Sequence, residues 1–204
     1  MRYQPLSPDF FSRNRNHFSQ QIKPLSVAFF FSNDLFPRNG DQTHVFRQHS
    51  DFYYLTGIDQ EKAILVFIKK ANGEVTEKLF IEETSPYNVI WEGKKYSIEE
   101  AKQVSNIQQV YPNKLFDEML PRWMQETQCA YINENMNPRF STEIPYKDIR
   151  FKQFLQQNYT HILIEQSSFI LTNLRVCKQQ EEIEQIRKAI AITKKGFERV
   201  LKTI

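Results

Sequence analysis

The sequence has few cysteines and no long apolar run. Its 204 residues include only Cys129 and Cys177, too few and too far apart for a disulfide framework or a paired-cysteine metal site. We therefore expect the protein to reside in a reducing compartment of the cell. No apolar stretch approaches the roughly 20 residues that span a bilayer, and the N-terminus lacks the apolar run of a signal peptide. These absences predict a cytoplasmic protein without a membrane partner.

Clustered charge is also absent. The 27 basic and 24 acidic residues give a net charge of +3 and are scattered along the chain. Nucleic-acid binding needs basic residues gathered on one surface, so we expect no nucleic-acid partner. Only 5 glycines accompany 17 phenylalanines, with 40% apolar and 25% charged residues. This composition predicts a globular domain with an aromatic-rich core and short turns.

No catalytic motif stands out. The chain contains no HExxH sequence, no cluster of carboxylates with histidine, and no evident grouping of serine or cysteine with histidine. His44 and His49 are five positions apart, which places them on opposite faces of a strand. We therefore predict no catalytic residue and no metal site within this chain.

Apolar patterns predict alternating strands and helices. Short apolar runs are typical of buried strands, and apolar residues spaced by three and four are typical of helices; Asn72–Gly73 joins two strands in a hairpin. The predicted strands are Ser26–Ser32, Ala63–Ile68, Lys78–Glu82, Gln109–Tyr111, Cys129–Asn133 and a buried strand at His161–Glu165, and the predicted helices are Ser7–Pro24, Ser97–Val104, Asn113–Leu120 with an interruption or kink at Pro121, and Tyr146–Asn158. This order predicts an α/β fold whose mixed, mostly parallel sheet carries helices on both faces.

The stretch Arg38–Gly57 combines a turn with an aromatic segment. Asn39–Gly40 accepts positive φ at little cost, so a tight turn leaves Asp41 at its tip, available to a partner. The aromatic and β-branched content of Asp51–Thr56 predicts a short strand. Beside that strand we expect Asp51 either to act as a cap or to form a salt bridge, for which Arg47 is the partner.

The last segment, Gln179–Ile204, has the pattern of a long amphipathic helix. No stop signal follows its final apolar residues, so we expect the helix to continue beyond the printed sequence, which would then be a fragment. The apolar positions are Ile183, Ile186, Ile190, Phe197, Val200 and Ile204.

Three stretches, in this order along the chain, resemble the aminopeptidase P family, the Xaa-Pro aminopeptidases of the creatinase and prolidase superfamily. Arg38–Gly57 resembles the signature of the family's N-terminal domain. Val89–Lys95 and Leu174–Ile183 are similar to shorter family motifs, the second of which leads into the catalytic domain. The resemblance implies an N-terminal domain at 1–173 and, at 174–204, a connector and the first helix of a metallopeptidase domain that is otherwise missing.

The same resemblance implies the function of the whole protein. It would hydrolyse the bond between an N-terminal residue and a proline in second position, using two Mn²⁺ ions held by ligands outside this chain. The chain alone should be inactive and bind no cofactor. In oligomers of the family the N-terminal domain reaches a neighbouring active site, and the residues that match Asp41 and Trp91 line its mouth. A carboxylate suits the substrate's ammonium group, and an indole face suits proline.

Other readings stay open. From the sequence alone Asp41 is an ordinary turn residue and Trp91 an ordinary core or interface aromatic. The whole protein could instead be a non-catalytic protein-binding module that has lost the metal ligands, or a prolidase or creatinase relative. The sequence beyond Ile204 would distinguish them.

Overall fold

The computed structural model describes residues 6–83, 89–90, 93–137, 139 and 143–202. Six strands of this part of the chain form one sheet in the order β6-β5-β4-β1-β7-β8, and β2 and β3 form a separate small hairpin. The strands are β1 Ser26–Phe31, β2 Pro37–Asn39, β3 Gln42–Thr43, β4 Ile64–Lys69, β5 Val75–Ile81, β6 Val110–Pro112, β7 Cys129–Ile132 and β8 Leu163–Gln166.

Helices occupy most of the remaining described chain. They are α1 Pro8–Gln21, α2 Ser50–Thr56, α3 Ile98–Ser105, α4 Phe116–Gln125, α5 Lys147–Asn158, α6 Ser168–Val176 and α7 Gln180–Leu201. A short 3-10 helix, Asn113–Leu115, precedes α4. Ser97 and Glu100 form a capping box at the start of α3, as their spacing predicts.

The sheet is mixed. Parallel pairing joins β5 to β6, β1 to β7 and β7 to β8, whereas β4 pairs antiparallel with both β1 and β5. The mixed, mostly parallel sheet is therefore confirmed, and so is the hairpin of β4 and β5 around Gly73. Every residue of β1 is buried, because this strand lies inside the sheet with helices against both of its faces.

Two apolar cores cover the two faces of the sheet. Alternate residues of β1 point to opposite sides, Phe30 into one core and Phe29 into the other. The first core takes its helical residues from α1, α2, α3 and α6, and the second takes them from α4 and α5. Helices on both faces are thus confirmed, and aromatic pairs such as Phe18 with Phe30 fill the layers.

The predicted strand at Asp51–Thr56 is wrong, because this segment is the helix α2. His49 caps its amino end, with Nδ1 accepting from the backbone N–H of Asp51 at 3.2 Å. Gly57 ends it in the left-handed conformation, at φ 70°. The caps outweigh the β propensity of an aromatic segment that is only seven residues long.

Two smaller expectations also need correction. Of the interruption or kink predicted at Pro121, the interruption is wrong, because α4 runs continuously past this residue. The strand predicted at His161–Glu165 is present as β8, but at the sheet edge with Leu163 58% exposed instead of buried. Helix α6 was not predicted. The sequence Ser85–Tyr87 also predicts a turn or short helix, but these residues lie outside the described ones.

The long helix predicted near the end of the chain is present as α7. None of its described residues is buried, and every residue from Ile186 to Lys202 is exposed. Its apolar face, which includes Ile190 and Phe197 at 61% and 66% exposure, lies outside both cores. Within the described chain, the first turn of this helix is joined to the domain by an ion pair between Glu181 and Arg13.

Candidate functional site

Asp41 lies on a projecting hairpin, here called the arm and defined as residues 35–45. Strands β2 and β3 pair antiparallel within it, and Gly40 turns the chain at φ 55°. Every residue of the arm is exposed. The tight turn with an exposed Asp41 is therefore as the Asn39–Gly40 dipeptide predicts. A two-stranded hairpin is marginally stable by itself, so its direction must be set at its base.

Three side-chain contacts fix the base of the arm. Asn33 Nδ2 donates to the carbonyl oxygen of Arg47 at 2.9 Å, which ties the two ends of the arm together. Gln48 Nε2 donates to the carbonyl oxygens of Ile58 at 3.0 Å and Gln60 at 2.9 Å. The arm is thus joined to the chain on either side of α2, and α2 serves as its foundation.

His49 links the arm to α2 in its neutral form. Its Nδ1 accepts the hydrogen bond that caps the helix, which a protonated ring could not do. Burial lowers the pKa of His49 and Arg175 lowers it further, whereas Asp51 acts in the opposite direction. The surroundings therefore favour the ring state that the cap needs.

Asp51 is paired with Arg175, not with Arg47 as the sequence suggested. Arg175 Nη1 donates to Asp51 Oδ1, and Asn133 Nδ2 donates to Asp51 Oδ2 at 3.0 Å. Ser167 Oγ completes the group by donating to Asn133 Oδ1 at 3.2 Å. Asp51 and Arg175 are 124 positions apart, so spacing could not reveal the pair, although each lies within one of the three family-like stretches.

The two residues singled out for substrate binding have different outcomes. Asp41 makes no ion pair or hydrogen bond within the part of the chain that the structure describes, so its carboxylate is directed at solvent. Trp91 lies outside the described residues. The arm can therefore present the carboxylate of Asp41 to a group outside the domain.

The described residues contain neither a cluster suited to a metal ion nor a helix suited to a membrane. Within the described residues no group of three or more histidine, cysteine, aspartate or glutamate side chains could hold a metal ion. No helix in the same ranges is long and apolar enough to cross a bilayer. The described residues therefore do not fit the dimetal centre that the family resemblance implies for the whole protein.

Comparisons with known proteins agree with the fold. The Xaa-Pro aminopeptidase of Haemophilus influenzae is 26% identical over 97% of this chain and 44% of its own length. A Bacillus anthracis protein assigned as an aminopeptidase P superimposes with a TM-score of 0.87 at 30% identity, covering 94% of this chain and 46% of that one. The chain thus spans about half the length of the relatives it matches.

A third similarity concerns the fold alone. Zinc-substituted Escherichia coli aminopeptidase P, in complex with product, superimposes with a TM-score of 0.76 at 23% identity over 91% of this chain and 42% of its own.

A family model described as "Aminopeptidase P, N-terminal domain" matches residues 11–132, which is more than half of the 204 residues. This chain therefore belongs to the family of aminopeptidase P N-terminal domains.

Proposed function

We propose that this chain is the N-terminal, non-catalytic domain of a dimetal Xaa-Pro aminopeptidase. The observation that carries the proposal is the family match over residues 11–132. It is supported by the similarity to the Haemophilus influenzae Xaa-Pro aminopeptidase, of whose length the chain covers 44%. The domain occupies 1–173, and 174–204 form the connector and first helix of a metallopeptidase domain. The exposed apolar face of α7 supports this division, because a helix of the first domain would bury that face.

The whole protein would remove an N-terminal residue that precedes proline. Two Mn²⁺ ions would activate the attacking water and polarise the scissile carbonyl, and their ligands would belong to the other domain. The described residues supply no such ligand set, so no catalytic step is assigned to them. The cytoplasm is the proposed compartment, since both cysteines are free.

Within an oligomer, Asp41 would contribute to the active site of a neighbouring subunit. The arm lifts its carboxylate away from the domain's own cores, which suits a contact made in trans. There the carboxylate would bind the protonated α-amine of the peptide, and Trp91 would pack against the substrate. Neither residue would form or break a covalent bond.

The experiment compares this chain with the full-length protein. With a proline-containing tripeptide and Mn²⁺, the full-length protein should show turnover and bind metal, and this chain should do neither. The same tripeptide with alanine in second position serves as the specificity control. Turnover or stoichiometric Mn²⁺ with the chain alone would refute its non-catalytic assignment. A full-length protein without activity or metal would instead favour the protein-binding module.

A further inference from the structure

His49 lies between the arm and helix α2 and forms hydrogen bonds through both its backbone and its ring. The backbone N–H donates to Gln48 Oε1 at 2.8 Å, and the carbonyl oxygen accepts from the backbone N–H of Tyr53 at 2.9 Å. The ring Nδ1 accepts from the backbone N–H of Asp51 at 3.2 Å. The backbone bonds involve groups that do not titrate, whereas the ring bond requires a nitrogen without a proton.

The ring bond of His49 matters to the arm because α2 is short. The helix has only seven residues, Ser50–Thr56, and loss of its side-chain cap leaves an amide of the first turn without a partner. The arm leads into this turn through Gln48, whose amide group accepts from the backbone N–H of Asn33 at 3.4 Å and donates to the carbonyl oxygens of Ile58 and Gln60. A change in the first turn of α2 therefore changes the base of the arm.

Charged groups of α2 and α6 act on the ring of His49. Burial lowers the pKa of His49 from its ordinary value of 6.5, Arg175 of α6 lowers it further, and Asp51 of α2 acts in the opposite direction. The carboxylate oxygens of Asp51 already accept hydrogen bonds from Arg175 and Asn133, so a protonated ring would compete with both for this partner. It would also place a positive charge at the positive end of the helix dipole. The folded protein therefore favours the neutral ring.

We propose that His49 is a pH-sensitive positioning residue, whose neutral ring caps α2 and holds the arm, and whose protonation breaks the cap and loosens the arm that carries Asp41. The added proton is taken up by Nδ1, which can then no longer accept the hydrogen bond from Asp51. Because the folded pKa lies below the ordinary value, the cap is intact above pH 6.5 and is lost as the pH falls through the folded pKa.

The proposal goes beyond the proposed function, because it concerns the arm and not the reaction. Its tests use no substrate, so its failure would leave the proposed function standing. Nitrogen NMR of the four histidines tests the ring state first, and the signals of His49 are those missing from His49→Asn. At about pH 8 the neutral ring should carry its proton on Nε2, and it should take up a second proton only below pH 6.5.

Pulsed electron paramagnetic resonance then measures the arm against the body of the domain. Gln42→Cys places one spin label on the arm, and Gln125→Cys places the other in the last turn of α4, both at exposed positions. The exposed thiol is removed by Cys177→Ser, and Cys129 is buried and stays unlabelled. The distance distribution should be at least about twice as wide at the pH where NMR shows His49 protonated as it is at about pH 8.

His49→Asn separates the cap from its titration. Asparagine caps helices without a titrating group, so this variant should keep the narrow distribution at both pH values. The matched control is His44→Asn, because His44 is an exposed histidine of the arm itself, and it should broaden at low pH as the parent does. Asp148, a buried carboxyl group with Asp51 among its neighbours, is present in every variant, so its titration would not distinguish His49→Asn from the parent.

Several results would overturn the proposal. They are a neutral His49 ring with its proton on Nδ1, a parent that unfolds before His49 is protonated, a parent width that stays the same once His49 is protonated, a folded His49→Asn variant that broadens as the parent does, and a His44→Asn variant that does not broaden. If circular dichroism shows that His49→Asn does not fold, His49→Ser replaces it under the same criteria, since serine is likewise a cap residue without a titrating group.

Discussion

Asp148 is a carboxyl group buried in the first turn of α5, only 4% exposed. Burial raises its pKa well above the ordinary value of 3.8, and the nearby carboxylates of Asp34, Glu134 and Asp51 raise it further, against a hydrogen bond from its own backbone N–H. Each of these neighbours has a cationic partner, whereas Asp148 forms no ion pair within the described residues.

Asp148→Asn should stabilise the protein above about pH 4. The folded state keeps the proton of Asp148 at pH values where the unfolded state has released it, so stability falls as pH rises from 3.8 towards the folded pKa. That fall is about 1.4 kcal/mol per pH unit for one group. Urea unfolding measured from pH 4 to 8 should show that the free energy of unfolding falls less steeply with pH in the variant than in the parent.

The control is Asp117→Asn, at the same second position of α4 but exposed. It should not increase stability at any pH, because its carboxylate is hydrated and faces the positive end of the helix dipole. Equal stabilisation by both variants would show that the burial of Asp148 is not the cause.

For single residues, the sequence predicts features that depend on adjacent positions, but it does not predict partners that are distant along the chain. Asn39–Gly40 predicts the exposed turn at Asp41 because the turn depends on φ at two adjacent residues. The pairing of Asp51 with Arg175 depends on how α2 and α6 pack across the fold. Arg47 is nearer to Asp51 in sequence, but it lies at the base of the arm. There its carbonyl oxygen accepts a hydrogen bond from Asn33.

Gly57 is the element-scale feature most sensitive to substitution. It ends α2 at φ +70°, and a Cβ at this position would lie 2.4 Å from a ring carbon of the buried Phe11. Gly57→Ala should therefore lower the free energy of unfolding by more than about 2 kcal/mol, adding overpacking to the cost of left-handed backbone. The urea midpoint measures this change.

Gly73→Ala separates the two contributions. Gly73 has a similar φ of +85°, but a Cβ there meets nothing within 4 Å, so only the backbone cost of roughly 1 kcal/mol should remain. If both variants lose the same stability, the close approach of Phe11 contributes nothing to the requirement for glycine at position 57.

Helix α2 shows how local propensity can mislead. Phe52, Tyr53, Tyr54 and Thr56 favour strands in general, and the segment is too short for a helical period to be evident. His49 and Gly57 determine the outcome by capping both ends. Histidine is a rare cap residue, so His49 does not mark the start of a helix in the sequence. The burial of Phe52, Tyr54 and Leu55 depends on contacts that form only in the folded protein.

The outer part of α7 should exchange its amide hydrogens faster than the rest of the protein. Its residues beyond Gln185 are all exposed, so opening them breaks no buried apolar contact. Hydrogen exchange should show Lys194–Leu201 protected far less than the strand Ile64–Lys69. The buried helix α1 is the control for helical structure as such, and it should be protected. Equal protection of α7 would mean that its apolar face has found a partner, such as a second copy.

At the scale of the whole molecule the sequence predicts the fold class but not the strand order. Apolar runs and helical spacing identify β1, β4, β7 and α1, because a strand covered on both faces needs continuous apolar residues. The order β6-β5-β4-β1-β7-β8 arises from contacts between distant segments, for which a single sequence carries no signal. The parallel pairing of β1 with β7, separated by nearly 100 residues, is one such contact.

Asp41 can be tested only in the full-length protein, where the proposed contact with a neighbouring subunit would form. Asp41→Asn should lower kcat/KM for an Xaa-Pro peptide by roughly ten- to a hundredfold, since a hydrogen bond to a charged group contributes about 1.5–3 kcal/mol. Because the proposed contact would hold the ammonium in both the ground and transition states, most of the loss should appear in KM.

The fold should tolerate the change, because Asp41 is exposed and makes no bond within the described chain. Gln42→Ala, at the adjacent exposed position of the arm, is the control for disturbance of the hairpin and should keep the parent kcat/KM. Sedimentation velocity establishes that each variant remains oligomeric. If Asp41→Asn stays oligomeric with the parent kcat/KM, Asp41 is a turn residue only, and Trp91 becomes the residue to substitute next.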